Sequence, residues 1–353
     1  MIAYICTFFI TFLLDFVRSK SSIISVLPFL FLIIFLGCRS EIGGDWDSYY
    51  EMYQLGGSLN IFRPDPIFYS IIWIFNKLSL DFTIFILVTS CFYVFSLFTF
   101  CKSKNISYES VLALSLWLLL LLPIGFIKQS LAVSFLFLFL AKNDSFSLKN
   151  YFLLILGVGV HSAMIVVIPL LIIALIRQRE NILLGCISIL ALGFILIENF
   201  DLISMYFNKT SHLLDPVSAY GAHFRLSYLG VIGMIALTDI FSRMNYSEVD
   251  YPRRIEIVGL IFILFLWAAE FAISSMVVDR VSFFILPLVL GAMGTVEQKT
   301  RQISFCGNVR FGARFTSILA VMGISLSLCW LLVGDHSKFF LPYEFKVPRM
   351  NSD

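Results

Sequence analysis

Long apolar runs broken by short polar segments set the pattern of this sequence. A helix that crosses a bilayer needs about 20 mostly apolar residues. Single runs close to that length fall at 21–37, 82–100, 182–197, 226–241, 255–275, 281–296 and 315–333. A shorter run from Ile2 to Phe16 has no basic segment before it and no small-residue cleavage site after it, so it reads as a retained membrane segment. Two runs are too long for one span. Ser110–Ala141 is interrupted by Pro123, Gly125, Lys128 and Gln129, and Tyr151–Ile176 by Gly157, Gly159, His161 and Ser162. Each predicts two short helices joined by a tight turn. The aromatic-rich stretch that follows Pro66 is too short to span, and predicts an amphipathic helix over 67–80 lying on the outer surface.

Charge then orients the chain. With the N-terminus outside and both long runs counted as hairpins, the inner loops carry fifteen Lys and Arg, and the outer loops before residue 334 carry six. Short cytoplasmic loops collect basic residues. The pattern therefore predicts an all-α polytopic membrane domain over 1–353, with 11–13 transmembrane helices. Two long outer loops, 38–66 and 198–225, and a short tail, 334–353, face the same side.

Composition agrees. The chain is 59% hydrophobic and 14% charged, with 38 Phe and a mean hydropathy of +0.92. Soluble domains are about half apolar and about a quarter charged. This balance excludes a soluble enzyme, a disordered chain and a nucleic-acid binder. The seven Cys show no CxxC spacing, and no metal or cofactor motif appears, so neither is expected.

Candidate chemistry gathers at the outer ends. The first outer loop holds Arg39, Gly43, Gly44, Asp45, Trp46, Asp47, Tyr49, Tyr50 and Tyr53. Asp45 suits the N-cap of a helix whose face carries Tyr49 and Tyr53. Carboxylates accept hydrogen bonds from sugar hydroxyls, and aromatic faces suit sugar rings; an interfacial aromatic belt with capping charges is the plainer reading. Lys128, in the first hairpin turn, reads either as a snorkelling side chain or as a donor to phosphate. His161, in the second, reads as a packing residue, a proton carrier or a phosphate ligand. Glu270 lies inside an apolar run and Arg280 begins a late one. Arg225, in the second outer loop, adds another cation.

The order of these residues resembles that of the EpsG/Wzy-type polysaccharide polymerases. The likeness rests on Arg39 with Gly43, Asp45 and Tyr49, then on Lys128-Gln129 with Ala132, on His161-Ser162, and on Arg280 with Phe283 and Phe284. Lys128 stands where that family often has Arg. The resemblance implies a GT-C-like, metal-independent glycosyltransferase in the bacterial inner membrane, with its site facing the periplasm. Its donor and acceptor would be oligosaccharides linked to undecaprenyl diphosphate, and a chain-length regulator in the membrane would be a partner. On this reading Asp45 is the first candidate for the catalytic base and His161, which could equally bind phosphate, the second. Arg39, Lys128, Arg280, Tyr49, Glu270 and Arg225 are the candidates for holding diphosphate and substrate. A flippase of lipid-linked oligosaccharide and a membrane O-acyltransferase are the alternatives. The first needs cations along a central path, and the second needs access for an acyl donor from the cytoplasmic side.

Overall fold

The computed structural model describes residues 2–17, 27–57, 64–141, 148–168, 225–234, 260–261, 263–264, 281–294, 311–334, 337–341 and 343. These residues are helical or lie in turns, with no strand among them. They belong to two compact units. One comprises Met1–Ser162 with Met293–Asp353, and the other Ala163–Ala292.

The first unit begins with α1 (Ile2–Val17) and α2 (Leu27–Gly37). The short α3 (Trp46–Gln54) follows the Gly43-Gly44 break, and α4 (Pro66–Lys77) begins on a proline, whose missing N–H costs nothing in a first turn. Next comes α5 (Phe82–Ser103), 22 residues with a mean hydropathy of 2.2. Among the described helices it is the one long and apolar enough to cross a membrane. The first long run resolves into α6 (Tyr108–Ala113), a π-helix (Leu116–Gly125) and α7 (Ile127–Ala141). The second gives α8 (Leu148–Val160), which stops at His161, and a 3-10 turn (Ser162–Val166). The last long helix is α9 (Phe311–Val333).

The expected break in the first long run is present. Phe126 separates the π-helix from α7, and Tyr93 in α5 touches both arms. Its hydroxyl donates to the Leu118 carbonyl at 2.8 Å, and its ring lies 6.3 Å from that of Phe137. The wide helical turn over 116–125 was not expected, because an all-apolar run carries no signal that separates π from α. In the second long run the break at His161 is present, and the return arm beyond residue 168 lies outside the described residues. The predicted 67–80 helix is shorter, ending at Lys77, and it packs against α8 and α3. The predicted 182–197 span and the 198–225 loop, apart from Arg225, also lie outside the described residues.

Packing gathers one end of this unit around α5. The helix rests against α7 and α2, and α7 rests in turn on α8. The first residue of α5, Phe82, takes the rings of Trp46, Tyr50 and Tyr53 at 5.0–5.4 Å. Residues after α9 come to this same end. The Phe339 carbonyl accepts from the Gly43 N–H at 2.8 Å, the Phe340 carbonyl accepts from the Tyr4 hydroxyl at 2.7 Å, and the Tyr343 hydroxyl donates to the Phe35 carbonyl. The Tyr343 ring stacks on Phe35, 4.7 Å between centroids. What the sequence presents as a short tail is thus tied, over its described part, to both α1 and the first loop.

In the second unit, helical segments 225–234 and 281–292 bury apolar side chains that include Leu229, Ile232, Phe283 and Leu286. Gly233 admits Ile263 so closely that a Cβ would meet its side chain at 2.8 Å.

Candidate functional site

The site is built on Asp65, a residue of the first outer loop that the sequence pattern does not single out. Its backbone is left-handed, with φ +58°, and its side chain makes no capping bond to α4. The carboxylate reaches away from its own helix instead. Oδ2 accepts from Lys128 Nζ at 3.0 Å, and Oδ1 accepts from the Ser162 N–H at 2.7 Å. His161 Nδ1 lies 3.6 Å from Oδ1, too far for a hydrogen bond but within reach of an ion pair when the ring is protonated. Burial alone would raise the Asp65 pKa. His161, Lys128 and the Ser162 N–H outweigh it and hold the carboxyl well below the usual carboxylate range.

Helix α4 also supplies the walls around the cation. Lys128 Nζ sits 5.3 Å from the ring centres of both Phe68 and Tyr69, inside cation–π range. One turn of helix therefore brings a carboxylate and two aromatic faces to the same ammonium. The side chains of Lys128 and His161 each keep 15% of their surface exposed, against 5% for Asp65.

The first loop fixes the turn that carries Lys128. Tyr49 Oη accepts from the Lys128 backbone N–H at 3.3 Å. Gly43 has φ +121°, and a Cβ there would overlap the Ile124 carbonyl oxygen. Arg39 is 1% exposed. Its guanidinium donates to the Leu36 carbonyl, to Ser90 Oγ at 3.5 Å and to the Ile124 carbonyl at 3.4 Å. Burial lowers its pKa to about 10, with Tyr343 and Tyr4 opposing the shift, so it stays charged at neutral pH. Arg39, Gly43 and Tyr49 thus all hold residues 124–128 in place.

Two expectations for this loop need correction. Asp45 precedes α3 as expected, but its side chain makes no capping hydrogen bond. The aromatic residues offer little open surface for sugar rings. Trp46, Tyr49 and Tyr53 are buried, because the apolar face of α3 packs on Phe68, Phe82 and Phe85. Tyr50 is the exposed one, at 47%.

Of the candidate site residues, Lys128, His161 and Tyr49 come together, and Arg39 sits behind them at the same turn. Arg225 belongs to the second unit, where it opens the 225–234 helix and is buried. Glu270 and Arg280 lie outside the described residues. The one signal that could have found Asp65 is its setting in Pro64-Asp65-Pro66. Prolines on both sides restrict the backbone around this acid and mark it as a fixed position at the end of the loop.

A family model described as "EpsG family" matches residues 22–345. The chain belongs to the EpsG family. No curated protein and no solved structure matched it. The EpsG match takes in Arg39, Asp65, Lys128 and His161 together. Membership of EpsG, with the apolar helices, makes this a helical membrane protein of polysaccharide biosynthesis, with a polymerase or related glycosyltransferase-like role.

Proposed function

We propose that this protein polymerises lipid-linked repeat units of a surface polysaccharide. It transfers a glycan from undecaprenyl diphosphate to the non-reducing-end sugar of another lipid-linked unit. The observation that carries the reading is the meeting of Lys128 and His161 on the Asp65 carboxylate, where α7 begins and α8 ends. Glycosyl transfer of this kind needs a base for the acceptor hydroxyl and a cation for the leaving group.

In this mechanism the acceptor oxygen attacks the anomeric carbon as His161 takes its proton. The bond between that carbon and the phosphate oxygen breaks, and the electron pair leaves on the diphosphate. Lys128 binds the diphosphate of the donor, Arg280 stabilises the departing charge, and Arg39 holds the turn beneath Lys128. His161 is the first choice for the base because it shares a carboxylate with the cation, and Asp45 is the second. Tyr49 positions Lys128, while Glu270 and Arg225 serve the sugar and phosphate ends of the substrate. The diphosphate leaving group supplies the driving force, so the reaction requires neither a nucleotide sugar nor a metal ion. The site faces the periplasm, from the bacterial inner membrane, and a chain-length regulator is its partner in the bilayer.

The test is to incubate purified protein with a defined lipid-linked repeat unit and look for oligomers. A ladder of products supports the reading. Translocation of intact repeat units across vesicles without oligomers favours a flippase instead. In cells, Ala at His161 or Arg280 should leave single repeat units at normal protein levels, and full ladders from both would sink the mechanism.

A further inference from the structure

We propose that Asp65 is the positioning residue of this reaction, setting the imidazole of His161 and the ammonium of Lys128 from one carboxylate. The inference rests on the polymerase reading above and adds a residue to it. Three observations support it. Asp65 adopts a left-handed backbone that non-glycine residues rarely take, and such outliers concentrate at functional sites. It forgoes capping α4, the local task for which Asp is favoured. Its two oxygens then divide their partners, with Lys128 on Oδ2 and Ser162 N–H and His161 Nδ1 on Oδ1.

This division determines what each partner can do. Nδ1 faces the carboxylate across 3.6 Å, so Nε2 lies on the opposite edge of the ring, and the nearby negative charge orients the imidazole and favours its protonated form during proton transfer. The Lys128 ammonium has three N–H groups. One goes to Asp65, and the flanking Phe68 and Tyr69 rings accept no strong hydrogen bond, so the remaining donors suit an incoming oxyanion. Asp65 itself, almost fully covered, acts through these two side chains rather than on the substrate.

The experiment measures kcat and donor KM on full-length purified protein with the lipid-linked repeat unit. His161→Ala should lower kcat about 100-fold or more, the usual size of a lost acid–base step. Lys128→Ala should act mainly through KM. Asp65→Asn should do both, with kcat down at least about tenfold, as expected when a carboxylate no longer orients the base. The deciding variant is Asp65→Asn with His161→Ala. A residue that works through His161 costs nothing more in kcat once His161 is gone. A merely structural residue would lower kcat by its full factor again, and that result overturns the proposal, as does unchanged kcat in Asp65→Asn. If Asp65→Asn does not fold, Asp65→Asn with Lys128→Gln leaves no unpaired charge and carries the same test, with Lys128→Gln as reference. Active wild-type protein with additive losses sinks the Asp65 inference alone. Wild-type protein that makes no oligomers sinks the polymerase reading and this inference with it.

Discussion

Lys128 and Asp65, 63 residues apart in sequence, form a 3.0 Å ion pair between the first turn of α7 and the cap position of α4. Removing one partner of a buried pair leaves the other charge without compensation, at a cost of about 3–5 kcal/mol. Lys128→Ala should lower thermal stability in detergent by an amount near the lower end of that range, because Ser162 and His161 still face the carboxylate. Lys128→Arg keeps the charge and should lose much less. Equal losses in the two variants would show that packing of the Lys128 stem, not its charge, is what counts.

Acid should unlock the same cluster. The folded Asp65 carboxyl titrates below its unfolded value of about 3.9. Its contribution is therefore fully present above that value and is lost as pH falls through the lower, folded one. The stability gap between wild type and Asp65→Asn should not narrow between about pH 7 and about pH 5, where a protonated His161 would only add to it, and should narrow below about pH 4. Melts of the two proteins at matched pH measure it. A gap that already narrows between pH 7 and pH 5 would contradict a depressed carboxyl.

Gly43→Ala should be among the most damaging single changes in the first loop. The position combines φ +121° with backbone contact against Ile124, so the added methyl meets a carbonyl that cannot swing aside. Backbone strain of this type costs about 1–3 kcal/mol before any clash. The yield of monodisperse protein should fall, while Gly44→Ala, with open space around its Cβ, should be tolerated.

Tyr4→Phe removes one buried hydrogen bond and leaves the Phe340 carbonyl unsatisfied. A loss of about 1–3 kcal/mol is expected. Tyr49→Phe removes an acceptor from the Lys128 N–H and should cost about 1 kcal/mol, with a rise in donor KM. Thermal melts and steady-state kinetics separate the two effects.

Local pattern made much of this legible. Pro123, Gly125, Lys128 and Gln129 mark a break because they interrupt an apolar run, and the chain turns at Phe126 beside them. Lys128 and His161 stood out for a similar reason, as polar groups at the middles of long apolar stretches. Asp65 did not, because its partners lie 63 and 97 residues away and its neighbours read only as a turn. The aromatic residues of α3 misled in the opposite direction. Their spacing marks one face of a helix, but the same spacing serves a ligand or a core, and here Phe82 and Phe85 make it core.

The contacts made by Phe339 and Phe340 also impose an order on biogenesis. Tyr4 and the Phe340 carbonyl it bonds are 336 residues apart, so Tyr4 is translated long before its partner. Until α9 has been inserted, Gly43 lacks its acceptor and the loop that steadies Lys128 cannot settle. Nascent chains arrested before residue 337 should therefore carry inserted helices but an unfinished first loop, and completing that loop waits on the residues after α9.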